Sequence, residues 1–518
     1  NQSALYTRLQ SRNASTGIDA VYYNPAGLTK LGDGFFFSVN NQTIGQTRSV
    51  LNNYTYLSGS PKEYIGTVSA PMFPSIYAAL KAGKFAVSAG FNPIGGGGGA
   101  TYEDGLPSFE MSIADLVPLL VSRGIPATQY SANIFFEGTS TYFGYQANVS
   151  YEINKMLSVA AGVRYVTAKN TYNGALKNIM VNPTYPAFGA GYTGGMVLAS
   201  DFFTSGATTL TSLAGGATAL SALIAGKITG GVDPTTLLTD AATNGLEATQ
   251  IGTIQAIVTA AGQNPAGINI ATAQAIMTAA APQFTANAGA MAMYSVATQD
   301  IEVDAEQTGS GFAPILSLNI SPVDNLNIAL KYEFKTKLEL TTKVFDNKGG
   351  GVFTDGQKVI ADMPAMFAAG VEFRPIDRLM VTGSMNMYFD KNIDYDGSEL
   401  LDVNMIDKNF TEYAFGAELG LTKMIRMSAG WLGTFTGVNE NYQNDQRYSL
   451  NTNSFGGGLG IRILPVLDLN LGFQYTMYSE GTKGFTHLLG TTQVPVTETY
   501  NKDTWVVGAG LDFYFGRK

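Results

Sequence analysis

The sequence predicts an all-β protein, a 14-stranded antiparallel transmembrane β-barrel with an N-terminal segment in its lumen and a helical extracellular loop insertion, on three observations. Segments in which apolar and polar residues alternate recur along most of the 518 residues. The connections between those segments are short and long by turns, as in an up-and-down barrel of the outer-membrane type. Charged residues make up only 14% of the chain, with 60 glycines, 29 phenylalanines and 27 tyrosines, a mixture that suits strands and tight turns better than a helical bundle.

Residues 1–33 are polar and lack strand alternation. Within them, Tyr22-Tyr23-Asn24-Pro25-Ala26-Gly27-Leu28 reads as a turn, because proline fixes its own φ and pushes the residue before it into an extended conformation. Asn1-Gln2-Ser3 has neither the basic start nor the apolar core of a signal peptide, so an exported protein would be represented here by its mature or trimmed chain. From Gly34 the pattern changes: Phe35, Phe37 and Val39 alternate with Phe36, Ser38 and Asn40, and the first strand runs to about Thr47. The next two, 74–81 and 84–93, meet in a hairpin at Ala82-Gly83. Further strands fall near 139–151, 156–173, 309–320, 325–344, 364–374, 378–391, 410–422, 425–437, 453–464, 466–479 and 503–515.

Ala82-Gly83, 152–155, 321–324, 375–377, Lys423-Met424 and Pro465 are the short connections. Every intervening one is long, which matches short periplasmic turns opposite long extracellular loops, with both termini on the periplasmic side. A Greek-key sandwich lacks that regularity. In 325–344, Leu326, Ile328, Leu330, Tyr332, Phe334, Leu338 and Leu340 share one face, and Asn327, Lys331, Glu333, Lys335, Lys337 and Glu339 the other. The last strand sets Trp505, Val507, Ala509, Leu511, Phe513 and Phe515 against Gly508, Gly510 and Asp512. Apolar faces that regular need a nonpolar exterior around a polar interior. Tyr388-Phe389 and Phe513-Tyr514-Phe515 place aromatics where an interfacial girdle belongs.

The inward positions so assigned carry Arg164, Lys331, Glu333, Lys335, Glu372, Arg374, Glu418, Arg426, Arg462 and Asp512. Two readings stand: a network of ion pairs satisfying one another and the contents of the barrel, or a wall whose Arg164, Lys331, Lys335, Arg374, Arg426 and Arg462 contact a ligand head group. A second inward class is small: Gly162, Gly370, Gly416, Gly420, Gly456, Gly458, Gly460, Gly472, Gly508 and Gly510 leave volume that the first 33 residues are available to fill.

With the turn at Asn24-Pro25-Ala26-Gly27-Leu28, the Phe-rich strand after it, and a hairpin over Pro74 to Gly95 ending Gly-Phe-Asn-Pro-Ile-Gly, the chain resembles the FadL/TodX family of outer-membrane transporters for hydrophobic compounds. The resemblance covers most of the chain outside about 182–300. It implies that residues 1–33 form a hatch inside the barrel (34–518), with Asn24, Pro25, Ala26 and Gly27 as the hatch motif. It also implies a third strand that kinks and opens a side passage to the bilayer, for which Gly90, Asn92 and Pro93 are the matching breakers; the alternative is that Pro93 merely ends the strand. The implied activity is passive, ligand-gated uptake of hydrophobic or amphipathic molecules such as long-chain fatty acids. A barrel of this type that serves instead as a docking or secretion-accessory protein is the other reading, and a monomer is expected in either.

Among the long loops, Gly95–Gly99 is too flexible for a strand and reads as a hinge. Ile113, Leu116, Val117, Leu119 and Leu120 suggest a short helix interrupted at Pro118. Residues 182–300 are rich in Ala, Thr and Gly; Leu210, Leu213, Leu220, Leu223 and Ile224 recur near helical spacing, as do Ile251, Ile254, Ile257 and Val258. Helices there should be joined at Gly230-Gly231, Asp233-Pro234, Asn264-Pro265 and Ala281-Pro282. The insertion reads either as an apolar platform that captures ligand or as a cap against the other loops or a partner protein.

Composition excludes several classes. Cysteine is absent and His487 is the one histidine, which removes disulfides, thiolate nucleophiles and Cys/His zinc sites and leaves no compact catalytic constellation, so no enzyme, cofactor or metal is expected. His487 reads as a solvated loop residue. A net charge of −9 without a basic cluster argues against nucleic acid. No run of about 20 strongly apolar residues suggests a membrane-spanning helix. Partners should be a fatty acid, lipid or detergent and the lipids of the outer membrane.

Overall fold

A computed structural model describes residues 3–348, 351–393 and 403–516. The chain enters through α1 (Ala4–Leu9), α2 (Ala20–Tyr23) and a 3-10 turn over Pro25–Lys30. Strands β1 (Gly34–Asn52), β2 (Lys62–Ala82) and β3 (Phe85–Tyr102) follow, then α3 (Pro107–Ala114) and α4 (Leu116–Ser122). Next come β4 (Tyr130–Glu152), β5 (Leu157–Val181) and the two-residue β6 (Val197–Leu198). The helices α5 (Ala199–Thr229), α6 (Ala241–Asn244), α7 (Ala248–Ala260) and α8 (Ile270–Ala297) precede β7 (Ile301–Val323), β8 (Leu326–Glu333), β9 (Glu339–Lys348), β10 (Lys358–Ile360), β11 (Met366–Ile376) and β12 (Leu379–Tyr388). The chain closes with β13 (Phe410–Gly420), β14 (Ile425–Phe435), β15 (Thr452–Leu464), β16 (Leu467–Tyr478), β17 (Gly481–Leu489) and β18 (Thr492–Gly516).

These segments form one closed antiparallel sheet of fourteen staves. β8 with β9, β10 with β11 and β16 with β17 are each one stave interrupted, and β6 is a flank of β5. Closure runs from Gly34↔Gly516 to Asn52↔Glu498. All fourteen staves coincide with segments expected from alternation, though several run well past the expected ends, β2 from Lys62 and β18 from Thr492. Staves extended in this way include β17 and β18, a hairpin turning at Gly490-Thr491 where a long loop was expected. His487 therefore sits on a strand, half-buried, its ring 4.8 Å from that of Tyr54, and not in a solvated loop.

Outside, Phe415, Phe455, Phe473, Val507 and Phe515 are exposed, and Trp431 stacks on Phe415 at 6.1 Å. Inside are Asn40, Gln42, Asn148, Asn319, Asn470 and Asp512, all buried. An apolar skin over a polar interior suits a barrel that sits in lipid and inverts the arrangement water demands.

One face assignment changes along its length. Up to Glu333 the odd-numbered residues point inward, as expected. The stave then breaks between β8 and β9, Thr336 bridges Met363, and beyond it Leu338 and Leu340 are buried while Lys337 and Glu339 are exposed. A break shifts the parity of everything after it, because the side-chain period of a strand is 2. Two turns also shift: the β2–β3 hairpin turns at Gly83-Lys84, where Gly83 supplies a φ of 56°, and α3 and α4 part at Asp115, with Pro118 accommodated in the first turn of α4, where its missing N–H costs nothing.

The chain divides into two compact units, the barrel with the N-terminal segment (1–111, 134–175, 302–518) and a second unit of residues 112–133 and 176–301. In the second unit α5 and α8 lie against each other through Phe203, Leu210, Ala214 and Ala217 on one helix and Met277, Ala280, Phe284 and Ala288 on the other, all buried. Phe203 stacks on Tyr294 at 5.3 Å. α8 runs straight through Ala281-Pro282, where a break was expected, with Pro282 on its exposed side. By length and composition α5 is the one helix among the described residues that could cross a membrane; its buried stripe packs on α8.

Candidate functional site

Residues 3–31 lie within the barrel unit and almost all are buried. Ser3 caps α1 by accepting from Tyr6 N (3.0 Å), and Asn40 of β1 accepts from Ala4 N (3.1 Å). The helix stops at Gln10, which adopts a left-handed φ of 63° and turns the chain. Tyr6 then stacks on Tyr23 (5.6 Å), so the two short helices brace each other.

α1 can lie so close to the wall because the wall there is glycine. Gly416, Gly430 and Gly456 are cross-strand neighbours on β13, β14 and β15. A Cβ on Gly416 or Gly430 would collide with the carbonyl of Leu9, and one on Gly456 with the carbonyl of Thr7. Gly458, Gly472 and Gly508 make a second row across β15, β16 and β18, where added Cβ atoms would press on Arg8, Thr7 and Ala4. Close backbone approach is what glycine permits and every other residue blocks. Five of these six follow from the sequence; Gly430 was missed, since it lies beside Trp431 in a segment with no other glycine on its inward face.

Charge completes the seat. Arg8 Nη1 contacts Glu418 (2.6 Å) and donates to Ser428 (2.6 Å), and its Nη2 donates to Asn470 (3.2 Å). Arg12 forks onto Asp19 (2.7 and 2.8 Å) within the segment itself.

Asn24-Pro25-Ala26-Gly27 docks on the opposite wall. Asn24 donates to Ser15 O (3.0 Å) and Asn319 Oδ1 (2.7 Å), and its Oδ1 accepts from Ser317 (3.1 Å). Ser150 donates to Pro25 O (2.7 Å), and Ala26 N donates to Ser317 (3.3 Å). Pro25 opens the 3-10 turn, where its missing N–H is not needed. A side chain on Gly27 would strike Asn24 and Ser15. The motif is thus bonded to β4 and β7 as an anchor. Replacing Asn24 by alanine leaves the buried Ser317 hydroxyl without its acceptor, while Asn319 Oδ1 keeps Asn327 as a donor (2.9 Å), a loss of about 1–3 kcal/mol for the one orphaned group; equilibrium unfolding of the barrel in denaturant should read it, and Asn24→Asp should recover only part.

The six cations expected to face the lumen fall into separate places. Arg164 and Lys331 come together with Tyr22 between them: the guanidinium is 4.8 Å and the ammonium 4.7 Å from the ring centroid, and Lys331 donates to Tyr22 O (3.0 Å). Glu333 pairs with Arg164 and stands 3.8 Å from Lys331. Arg426 and Arg462 form another group on Asp468, each at 2.9 Å. Lys335 lies in the stave break, paired with Asp362 (2.7 Å). Arg374, expected inside, is half-exposed at the short-turn end and pairs with Glu372 (2.8 Å), because the strand has already left the packed interior there. Each of the six has a carboxylate partner, although Glu333 and Asp468 each serve two of them.

β2 and β3 pair from Ala82↔Phe85 to Ile76↔Phe91; the ladder is then interrupted and resumes at Val68↔Ala100. Pro71 and Pro74 lie on one lip, and Asn92, Pro93 and the glycine run on the other, where Gly96 takes a φ of 82°. β3 also slips against β4 after Pro93 and after Gly95. Gly95–Gly99, expected to be a hinge, is part of β3. Gly90, expected to break the strand, keeps its partners Tyr77 and Gln146; a Cβ there would sit 3.0 Å from Val21, so its smallness admits α2. Pro71 and Pro74 were missed, although prolines inside an apolar strand are the available signal. Among the described residues no cluster could hold a metal ion. At the long-loop end, burial holds the Asp445 carboxyl above its ordinary range, although Ser108 N donates to it (2.7 Å).

No family model and no curated protein matches this sequence. Solved structures do. A FadL homologue of Pseudomonas aeruginosa aligns with 99% of this chain and 98% of its own at 11% identity and a TM-score of 0.55. A deltaS2 mutant of the TodX monoaromatic hydrocarbon channel aligns over 99% of both chains at 12% identity and a TM-score of 0.50. At these identities the likeness is one of fold, a fourteen-stranded barrel of the same architecture from end to end.

Proposed function

We propose that the chain is a member of the FadL/TodX family and an outer-membrane channel for passive uptake of hydrophobic or amphipathic small molecules, with residues 3–31 as its hatch and the β2–β3 interruption as a lateral exit into the bilayer. The observation that carries the reading is that interruption: prolines on both lips withhold ladder donors in a barrel that seats residues 3–31 against its wall. Apolar cargo stabilised by about 25 cal/mol for each Å² kept from water gains from leaving sideways, since it never meets an aqueous lumen. In this scheme the Asn24-Pro25-Ala26-Gly27 anchor holds the hatch while ligand shifts the segment around it, and the long loops face outward. Monoaromatic hydrocarbons are the cargo class a fold neighbour suggests, and long-chain fatty acids the class that the sequence resemblance implies.

Two measurements together test this. Wild-type protein in a planar bilayer should show almost no single-channel conductance, whereas cells or proteoliposomes carrying it should take up toluene or oleate well above empty controls. Large open-channel currents would make it an aqueous porin, and absence of uptake would leave a barrel with a docking role.

A further inference from the structure

The outer face of the barrel is not uniform where its apolar skin gives way toward the long-loop end. On β1 and β18 the two outward levels beyond Trp505 carry Thr47 opposite Asp503 and Ser49 opposite Asn501, with no cation. Beyond Phe312, the outward aromatic of β7, four exposed lysines occur: Lys169 on β5, Lys337 just before β9, Lys343 on β9 and Lys358 on β10. They point outward, because the neighbouring Asn170, Leu338 and Thr342 are buried on the inner face and strand side chains alternate with period 2.

Two of the four are held by carboxylates, Lys169 by Glu306 (2.6 Å) and Lys358 by Glu339 (2.7 Å). Lys337 and Lys343 are not. Lys343 stands opposite Glu306 in the ladder, but that carboxylate is turned to Lys169, and the Lys343 ammonium lies 5.0 Å from the ring of Phe345. Lys337 makes no ion pair among the described residues. The patch thus holds two cations in excess, and it ends one step past Glu306, where Asp304 and Asp346 face each other.

What surrounds the two lysines is amphiphilic. Lys337 and Lys343 are six residues apart, about 20 Å along the chain at ~3.4 Å per residue, so a single phosphate does not serve both. Between them, exposed Thr308 pairs with exposed Thr341, and Ser310 is the next outward residue on β7. None of the three hydroxyls makes a side-chain hydrogen bond among the described residues. On the membrane side Phe312 is 63% exposed, its ring 4.9 Å from that of Tyr165, which lies 6.2 Å from Tyr145. All three rings are exposed on the outer face, where aromatic residues mark the membrane interface.

We propose that this sector of the outer wall binds a bisphosphorylated glycolipid of the outer leaflet. Lys337 and Lys343 each take one phosphate, the hydroxyls between them meet the sugar, and the acyl chains lie along the Tyr145, Tyr165 and Phe312 rings. Ammonium–phosphate pairs are charge-assisted hydrogen bonds, and the excess charge of the patch is what two phosphates offset. A phospholipid with one phosphate engages one lysine and leaves the hydroxyls to water. The site is on the outside of the barrel, so it stands whether or not the lumen carries cargo.

The test compares diphosphoryl and monophosphoryl lipid A, which differ by one phosphate, for binding to the full chain in zwitterionic detergent, read by native mass spectrometry. Wild type should prefer the diphosphoryl form by about tenfold. Lys337→Gln/Lys343→Gln should lose that preference and Lys337→Arg/Lys343→Arg should keep it, while Lys423→Gln, in a short turn at the other end of the barrel, should leave it unchanged. Heat-modifiable migration on gels shows that each variant is folded. Equal affinity of wild type for the two lipids, or a preference undiminished in the double glutamine variant, overturns the proposal. Displacement of diphosphoryl lipid A by an equal amount of phosphatidylglycerol does so too, since it would reduce the patch to general attraction for anionic lipid.

Discussion

Valine in place of Gly430 is expected to lift α1 off the wall and open the chain to trypsin at Arg8 and Arg12. The added Cβ would occupy the position of the Leu9 carbonyl, and neither partner can yield, since one is strand backbone and the other the last turn of α1. Overpacking of this kind costs about 1–3 kcal/mol. The larger loss follows when α1 moves, because Glu418 stays buried without Arg8, a break worth about 3–5 kcal/mol. Limited proteolysis with mass spectrometry should show protection in wild type and cleavage after Arg8 or Arg12 in the variant, with a lowered thermal midpoint and a rise in bilayer conductance. Gly457→Ala serves as control, because that glycine is adjacent but faces outward and its Cβ would meet Ser428 O at an ordinary 3.5 Å. Full protection in Gly430→Val would mean that α1 is not held by the glycine seat.

Sealing the β2–β3 interruption should abolish lateral release. Between the paired positions Val68↔Ala100 and Ile76↔Phe91, β3 carries one residue more than β2, and Gly96, in its left-handed conformation, is the natural surplus. Removing Gly96 and replacing Pro71, Pro74 and Pro93 by valine equalises the lips and restores three N–H donors. Cargo would then have to cross water. At ~0.8 kcal/mol per methylene, a molecule that exposes three of them on that route slows by roughly 50-fold. Uptake of labelled oleate and toluene into cells carrying equal amounts of folded barrel reads the effect. Wild-type rates in a folded, sealed variant would rule out exit through this gap.

The staves were legible because their signal is local. Trp505, Val507 and Phe515 against Gly508, Gly510 and Asp512 can be sorted by eye, since a strand between lipid and a polar lumen must alternate with period 2. Local signals failed where pairing overrides propensity. The glycine run 95–99 looked too flexible for a strand, yet the neighbouring β4 holds it in the sheet. Leu338 and Leu340 were assigned outward because the break after Glu333 leaves no mark in an alternating pattern that continues through it. Pro282 looked like a helix end, but α8 has α5 along its length and tolerates it.

The sequence by itself determined the barrel, its fourteen staves, the alternation of turns and loops, and a segment before Gly34 with nowhere to pack except inside; these follow from periodicity and composition, which do not require knowing which strands are neighbours. Only the tertiary structure decided what each inward residue does. Whether a luminal cation meets a carboxylate depends on register between strands far apart in sequence: Arg164 meets Glu333 and Arg426 meets Asp468. The same holds for the glycines, whose meaning as a seat appears only when Gly416, Gly430 and Gly456 line up across three strands beneath Leu9 and Thr7. Pairwise contact energies act over a few ångströms, and a sequence does not contain those distances until the sheet has closed.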